Sequence, residues 1–80
     1  MTGQPNSLLD QARKSAGLSH GDLFLRYFEL GGMSSAFQVE AFVYDLLEPS
    51  PHDYDVLAHA LNERFDELGG HHPVPYAADA

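Results

Sequence analysis

Four serines mark places where a helix can begin, and together they constrain the fold more than any other feature of the chain. Each stands three residues before an Asp or a Gln, the spacing of a capping box, in which the serine hydroxyl accepts a hydrogen bond from a free backbone N–H. After the fourth serine comes Pro51, which suits the first helical position because it has no N–H to leave unpaired. The serines are Ser7, Ser19, Ser35 and Ser50, with Ser34 as an alternative to Ser35.

Glycine and proline mark where the same helices end. Glycine readily adopts the left-handed conformation that commonly follows a helix. In the third segment Pro49 prevents the helix from continuing beyond Leu47. The glycines are Gly17, the pair Gly31 and Gly32, and the pair Gly69 and Gly70. We therefore predict four helices, at about residues 7–16, 20–30, 35–47 and 51–68.

The predicted fold class is all-α: a compact four-helix domain over residues 7–69, with helix three at its centre. Eighty residues suffice for one domain, and an apolar fraction of 44% suffices for a core. We expect residues 1–6 to be a disordered N-terminus. We expect residues 70–80 to be a C-terminal tail that packs back through Val74 and Tyr76.

Helices three and four differ in how their apolar residues are arranged. In helix four these residues recur with the spacing of one core-facing stripe, whereas helix three has two stripes on opposite sides. Phe37, Ala41 and Tyr44 form the second stripe, and we predict that they contact a protein partner or a second copy of the chain. Alternatively, helix one or the tail covers them. The core stripes are Tyr54, Leu57, Ala58, Leu61, Phe65 and Leu68 in helix four, and Val39, Phe42, Val43 and Leu46 in helix three.

The strongly acidic charge restricts the class of partner. Twelve acidic residues against four basic ones give a net charge of −8, and the resulting field repels a phosphate backbone. Helices two and three could form a helix-turn-helix, but the second of them offers no Lys or Arg to DNA. We predict no nucleic-acid binding; a basic protein partner fits the charge better.

No group of residues predicts catalysis or a metal site. The chain has no cysteine, and the polar side of helix four, with one His among carboxylates, is better explained as a solvated face than as a set of metal ligands. No Ser, His and Asp have a spacing that predicts a catalytic arrangement. We expect no enzyme, no metal and no cofactor. The residues of that polar side are Asp55, His59, Asn62, Glu63 and Asp66.

The composition also bears on where the protein acts. A chain without cysteine suits a reducing cytoplasm. No apolar run approaches the roughly 18 residues of a membrane span, and residues 1–6 lack the charged-then-apolar pattern of a signal peptide. We expect a cytoplasmic protein without membrane contact.

Residues 27–34, YFELGGMS, resemble the aromatic-aromatic-Glu-Leu-Gly-Gly-x-Ser motif of acyl and peptidyl carrier proteins. In that family the serine opens a helix and is modified with phosphopantetheine, so the resemblance implies that Ser34 is the attachment site. The residues by themselves leave a second explanation open. In it, Gly31 and Gly32 end one helix, and Ser34 or Ser35 caps the next.

Three runs, FLRYFELGG at residues 24–32, VEAF at residues 39–42 and DVLAHALNER at residues 55–64, resemble small uncharacterised helical proteins of high-GC actinobacteria. Three Arg to one Lys agree with such a genome. This resemblance implies no reaction, catalytic residue or cofactor.

Together these features predict a small acidic cytoplasmic protein that acts by protein–protein contact, as a regulator or an adaptor. The first alternative is a carrier-protein-like domain that carries phosphopantetheine on Ser34. The second is a helical subunit whose acidic surface blocks a basic site on its target.

Overall fold

The structure is a computed structural model that describes residues 7–70 and Val74. Over these residues the chain forms four helices and no strand, which confirms the all-α, four-helix prediction. The helices are α1 (Leu8–Ser15), α2 (His20–Glu29), α3 (Ala36–Val43) and α4 (Pro51–Glu67).

All four helices begin where the serines predict. The hydroxyl of each capping serine accepts a hydrogen bond from the backbone N–H three residues later. At the start of α3 the cap is Ser35, and Gln38 completes a reciprocal capping box. The caps are Ser7, Ser19, Ser35 and Ser50.

Each helix ends in a Schellman motif, in which a left-handed residue and the residue after it donate their N–H groups to carbonyls of the last turn. In α1, α2 and α4 the left-handed residue is a predicted glycine, namely Gly17, Gly31 or Gly69. In α3 it is Asp45, with a φ of 63°.

The prediction that helix three runs to Leu47 is wrong, because α3 ends at Val43. The N–H of Asp45 donates to the carbonyl of Phe42 at 3.1 Å, and that of Leu46 donates to Ala41 at 2.9 Å, so the helix closes four residues earlier. Pro49 therefore marks only the furthest position that this helix could have reached. Leu46 therefore leaves the predicted core stripe, and its side chain is 75% exposed.

The prediction that helix three is central is also wrong, because α4 holds that position. The longest helix, α4, packs against α1 and α2, and α3 packs against the same two helices less extensively. Leu57, Ala58 and Leu61 are fully buried as predicted, whereas Leu68 caps the end of α4 and is exposed. The buried residues of α4 are Val56, Leu57, Ala58, Ala60, Leu61 and Asn62.

Asn62 was predicted on the polar side of helix four, and this is wrong. Its side chain is buried, and its amide makes two hydrogen bonds with the backbone of Val74, Nδ2 to the carbonyl at 2.9 Å and Oδ1 from the N–H at 3.3 Å. Val74 is itself buried, as expected for a tail that returns to the core. Tyr76 and residues 1–6, which also carried predictions, lie outside the described residues.

Candidate functional site: an interaction surface

The second stripe of α3 is largely uncovered. α3 packs through Val39, Phe42 and Val43, which are buried, and this turns its other side outward. Phe37 is 82% exposed, so helix one does not cover it. Ala41 is half-buried.

Tyr44, the third predicted interaction residue, has a partner within the chain. Its hydroxyl lies 2.7 Å from Nε2 of His20, and the two ring centroids are 5.0 Å apart. This contact joins the C-terminal end of α3 to the first residue of α2. The three predicted residues thus differ: Tyr44 is held against α2, whereas Phe37 is open to solvent.

A groove of about 140 Å³ runs between α2 and α3. Its walls are mainly apolar, and the His20–Tyr44 contact lies beside its His20 wall. Small-molecule pockets usually measure about 300–1,000 Å³, so this groove suits a single anchoring side chain better than a whole ligand. The lining residues are His20, Gly21, Leu23, Phe24, Ala36, Val39, Glu40 and Val43.

Further large apolar side chains are exposed near this groove. The ring of Phe28 is 6.2 Å from that of Phe24, which lines the groove, yet Phe28 is 62% exposed. Met33 is exposed in the loop between α2 and α3. We call the groove together with Phe28, Met33 and Phe37 the α2–α3 surface. Sequence reasoning missed Phe28, although its spacing of four residues from Phe24 places both on one helix face.

The basic side chains lie elsewhere. All four Lys and Arg residues of the chain fall within the described residues, and each is paired with a carboxylate on α1 or α4. The nitrogen–oxygen distances are 3.0 Å for Arg13–Asp10, 3.3 Å for Lys14–Asp10, 2.8 Å for Arg26–Glu67 and 3.2 Å for Arg64–Glu67.

These pairs shift the pKa values of their carboxyl groups. Hydrogen bonds from Arg26 and then from Arg64 lower the pKa of Glu67. Burial acts to raise the pKa of Asp10, but hydrogen bonds from Arg13 and Lys14 outweigh it, and the pKa is lowered. The basic residues are thus already used in stabilising carboxylates of their own chain.

The α2–α3 surface carries charge of one sign. Residues 27–63 include seven acidic residues and no Lys or Arg. Four of the carboxylates, on or beside α2 and α3, are exposed: Glu29, Glu40, Asp45 and Glu48. The four carboxylates differ in their surroundings: Glu29 lies with Arg26 in the cleft between α2 and α4, whereas Glu40 lines the apolar groove, whose walls include no Lys or Arg.

A buried polar network holds the loop that leads into α3. The hydroxyl of Tyr27 donates to Oδ1 of Asp53 at 2.8 Å and accepts the backbone N–H of Ser34 at 2.8 Å. The hydroxyl of Ser34 donates to Oδ2 of Asp53 at 3.2 Å. Gly32 packs on the Tyr27 ring, where a Cβ would overlap ring atoms. We call these four residues the Tyr27 network; it fixes the start of α3 relative to α2 and α4.

The surroundings of Ser34 do not fit a phosphopantetheine arm. Ser35 rather than Ser34 opens α3, and the Ser34 hydroxyl is half-buried and bound to Asp53. Attachment needs an accessible hydroxyl at a helix start. Modification at Ser34 stays a prediction that rests on sequence resemblance.

Two other regions were candidates for ligand binding. An open cleft of about 520 Å³ lies between α2 and α4, but the Arg26, Arg64 and Glu67 side chains on its walls are bound to one another. On the polar side of α4, His59 lies 4.0 Å from Glu63. Residues 7–70 contain no group of three or more His, Cys, Asp or Glu side chains arranged for a metal ion.

In the described part of the chain, no helix has the length and apolar character needed to cross a membrane. Comparison with known proteins found no matching family model, no matching curated protein and no matching solved structure.

Proposed function

We propose that the protein acts by binding another protein through the α2–α3 surface, as a cytoplasmic regulator or adaptor without catalytic activity. The observation that carries this proposal is the exposure of Phe37 on α3, a helix that also forms one wall of an apolar groove. A large aromatic side chain loses the benefit of burial when it faces water, and residues of this type dominate the binding energy of interfaces.

The support comes from the contrast between Phe37 and the rest of α3. Val39, Phe42 and Val43 satisfy the packing needs of the helix, so Phe37 contributes little to the fold. The Tyr27 network and the His20–Tyr44 contact hold both ends of α3 in place. A surface on rigid elements binds with less loss of conformational entropy than a mobile one.

Photo-cross-linking in the cells that produce the protein tests the proposal. A photo-reactive amino acid is placed at position 37, and the same amino acid at position 68 is the matched control. Leu68 is also an exposed apolar residue, but it lies at the end of α4. We expect a defined cross-linked species from position 37 and none from position 68. Equal cross-linking from both positions, or none from either, would contradict the proposal.

The carrier-protein alternative is a separate proposal and has its own test. Incubation with coenzyme A and a phosphopantetheinyl transferase of broad specificity would add the mass of phosphopantetheine, and Ser34→Ala would abolish the addition. An unchanged mass, while a competent carrier protein is modified in the same reaction, would leave Ser34 with its hydrogen bond to Asp53 alone.

A further inference from the structure

The charge around the α2–α3 surface indicates which kind of partner it binds. A helix that lies across α3 would meet the exposed carboxylate of Glu40, which lines the groove, and those of Asp45 and Glu48 beyond the end of α3, with no Lys or Arg between residues 27 and 63 to offset them. Charge complementarity across an interface accelerates association and excludes partners of like charge. The partner must therefore present basic residues on the side that faces these carboxylates.

The apolar part of the surface indicates the shape of that partner. The groove lies between two helices, has the volume of about one large side chain, and has an exposed aromatic residue near it. Amphipathic helices bind to grooves of this kind through regularly spaced apolar side chains. Leu23 and Phe24 of α2 face Ala36, Val39 and Val43 of α3 across the groove, so apolar area lies on both walls, and Phe28 extends the row of Phe24.

We propose that the α2–α3 surface binds a basic amphipathic helix of another protein. One apolar side chain of that helix enters the groove, its neighbours contact Phe28 and Phe37, and its Lys or Arg residues lie against Glu40 and Asp45. This inference rests on the proposed function, and it adds the chemical class of the partner.

A second copy of the chain is a poorer occupant on electrostatic grounds. A symmetric dimer places the same patch of both protomers in contact. Here that would bring the patch with Glu40, Asp45 and Glu48 of one protomer against the same acidic patch of the other, without a Lys or Arg in the patch to offset the charge. Desolvating like charges in this way opposes association.

Titration of the intact protein with a labelled synthetic peptide tests the inference. The peptide has about 15–20 residues, long enough for a stable helix when bound, with Leu on one face and Lys on the other. Two control peptides are used, one with Glu in place of every Lys, and one with the same composition but no apolar face. We expect the Lys peptide to bind at least about tenfold more tightly than either control, and its affinity to fall as salt is added.

Three variants locate the binding. We expect Phe37→Ala to weaken binding of the Lys peptide by about tenfold and Glu40→Gln by about two- to fivefold. Leu68→Ala, at an exposed apolar residue away from the groove, should change the affinity by less than about twofold. Circular dichroism of each variant checks that the helices are retained.

The outcomes separate this inference from the proposed function. Equal binding of the Lys and Glu peptides, or equal effects of Phe37→Ala and Leu68→Ala, would overturn the basic-helix partner. So would a dimer in sedimentation experiments that Phe37→Ala dissociates, because the occupant would then be a second copy. In each case a cross-link from position 37 to a different protein would still support the proposed function, whereas the absence of such a cross-link would count against that function itself.

Discussion

The Tyr27 network and the α2–α3 surface differ in how far their aromatic residues are buried. Tyr27 is fully buried, its hydroxyl has two partners, and Gly32 leaves room for its ring. Phe28, the next residue, and Phe37 face solvent. Substitutions in the network should therefore change stability, and substitutions on the surface should change binding.

Gly32→Ala should have the largest effect on stability. The added Cβ overlaps the ring of Tyr27, and this ring, with no exposed area, has no space into which it can move. Overpacking together with loss of the Tyr27 hydrogen bonds should lower the free energy of unfolding by about 2–5 kcal/mol. Chemical denaturation measures the change.

Gly21→Ala is the matched control, because a Cβ at Gly21 meets nothing closer than 3.9 Å and the residue lies within α2. We expect it to stabilise the protein by about 0.5–1 kcal/mol through helix propensity. Equal changes in the free energy of unfolding for the two alanine substitutions would show that Gly32 does not pack closely against the Tyr27 ring.

Tyr27→Phe isolates the polar part of the network. The ring is kept, but the Ser34 N–H loses its acceptor and Asp53 loses a donor. We expect a loss of about 1–3 kcal/mol in the free energy of unfolding. Thermal and chemical denaturation should agree, and a loss below about 0.5 kcal/mol would mean that water replaces the hydroxyl at little cost.

Asp45→Gly should act in the opposite direction, at the end of α3. Asp45 has a φ of 63°, a left-handed conformation that glycine adopts without strain. At the ends of the other three helices the residue in this conformation is a glycine. We expect stabilisation of about 0.5–1 kcal/mol in chemical denaturation. If the variant is less stable than the parent, the carboxylate makes a contribution at this turn that exceeds the strain.

The ion pairs of α4 should make stability depend on pH. Because the pKa of Glu67 is lowered from its usual value of 4.5, its pairing with Arg26 and Arg64 stabilises the fold above that pH, and the contribution disappears as the pH falls through the lowered pKa. Glu67→Gln should thus be destabilising at neutral pH, and the difference from the parent should vanish in acid.

Glu48→Gln provides the comparison for this pH series, since Glu48 is exposed in the loop before α4 and has no ion pair among the described contacts. At neutral pH its melting temperature should be close to that of the parent. An equal loss of stability at neutral pH in both variants would show that removal of a carboxylate, rather than loss of the pairs of Glu67, is the cause.

Phe37→Ala should have the smallest effect on stability. With 82% of the side chain already exposed, little apolar area is lost from the core, and the free energy of unfolding should change by less than about 0.5 kcal/mol. A loss above about 1 kcal/mol in chemical denaturation would place Phe37 in the core and remove the basis of the α2–α3 surface.

The sequence by itself determined the features that depend on neighbouring residues. A serine hydroxyl reaches an N–H three residues away, and glycine is left-handed at little cost, so the starts of all four helices and the ends of three could be predicted. Phe37 was also predicted to be available for contact, because a helix with two apolar stripes cannot bury both in so small a domain. The end of α3 escaped prediction because Asp45, unlike glycine, gives no strong signal for a left-handed turn.

Only the tertiary structure decided which distant groups meet. Tyr27 and Asp53 are 26 positions apart, and Asn62 finds its partner at Val74 rather than in solvent; a periodicity argument sees neither contact. The groove exists because α2 and α3 lie side by side, and α4, the longest helix, packs against α1 and α2 more extensively than α3 does. Helix ends are set by hydrogen bonds within a turn or two of the chain, whereas burial depends on how whole helices exclude water from one another.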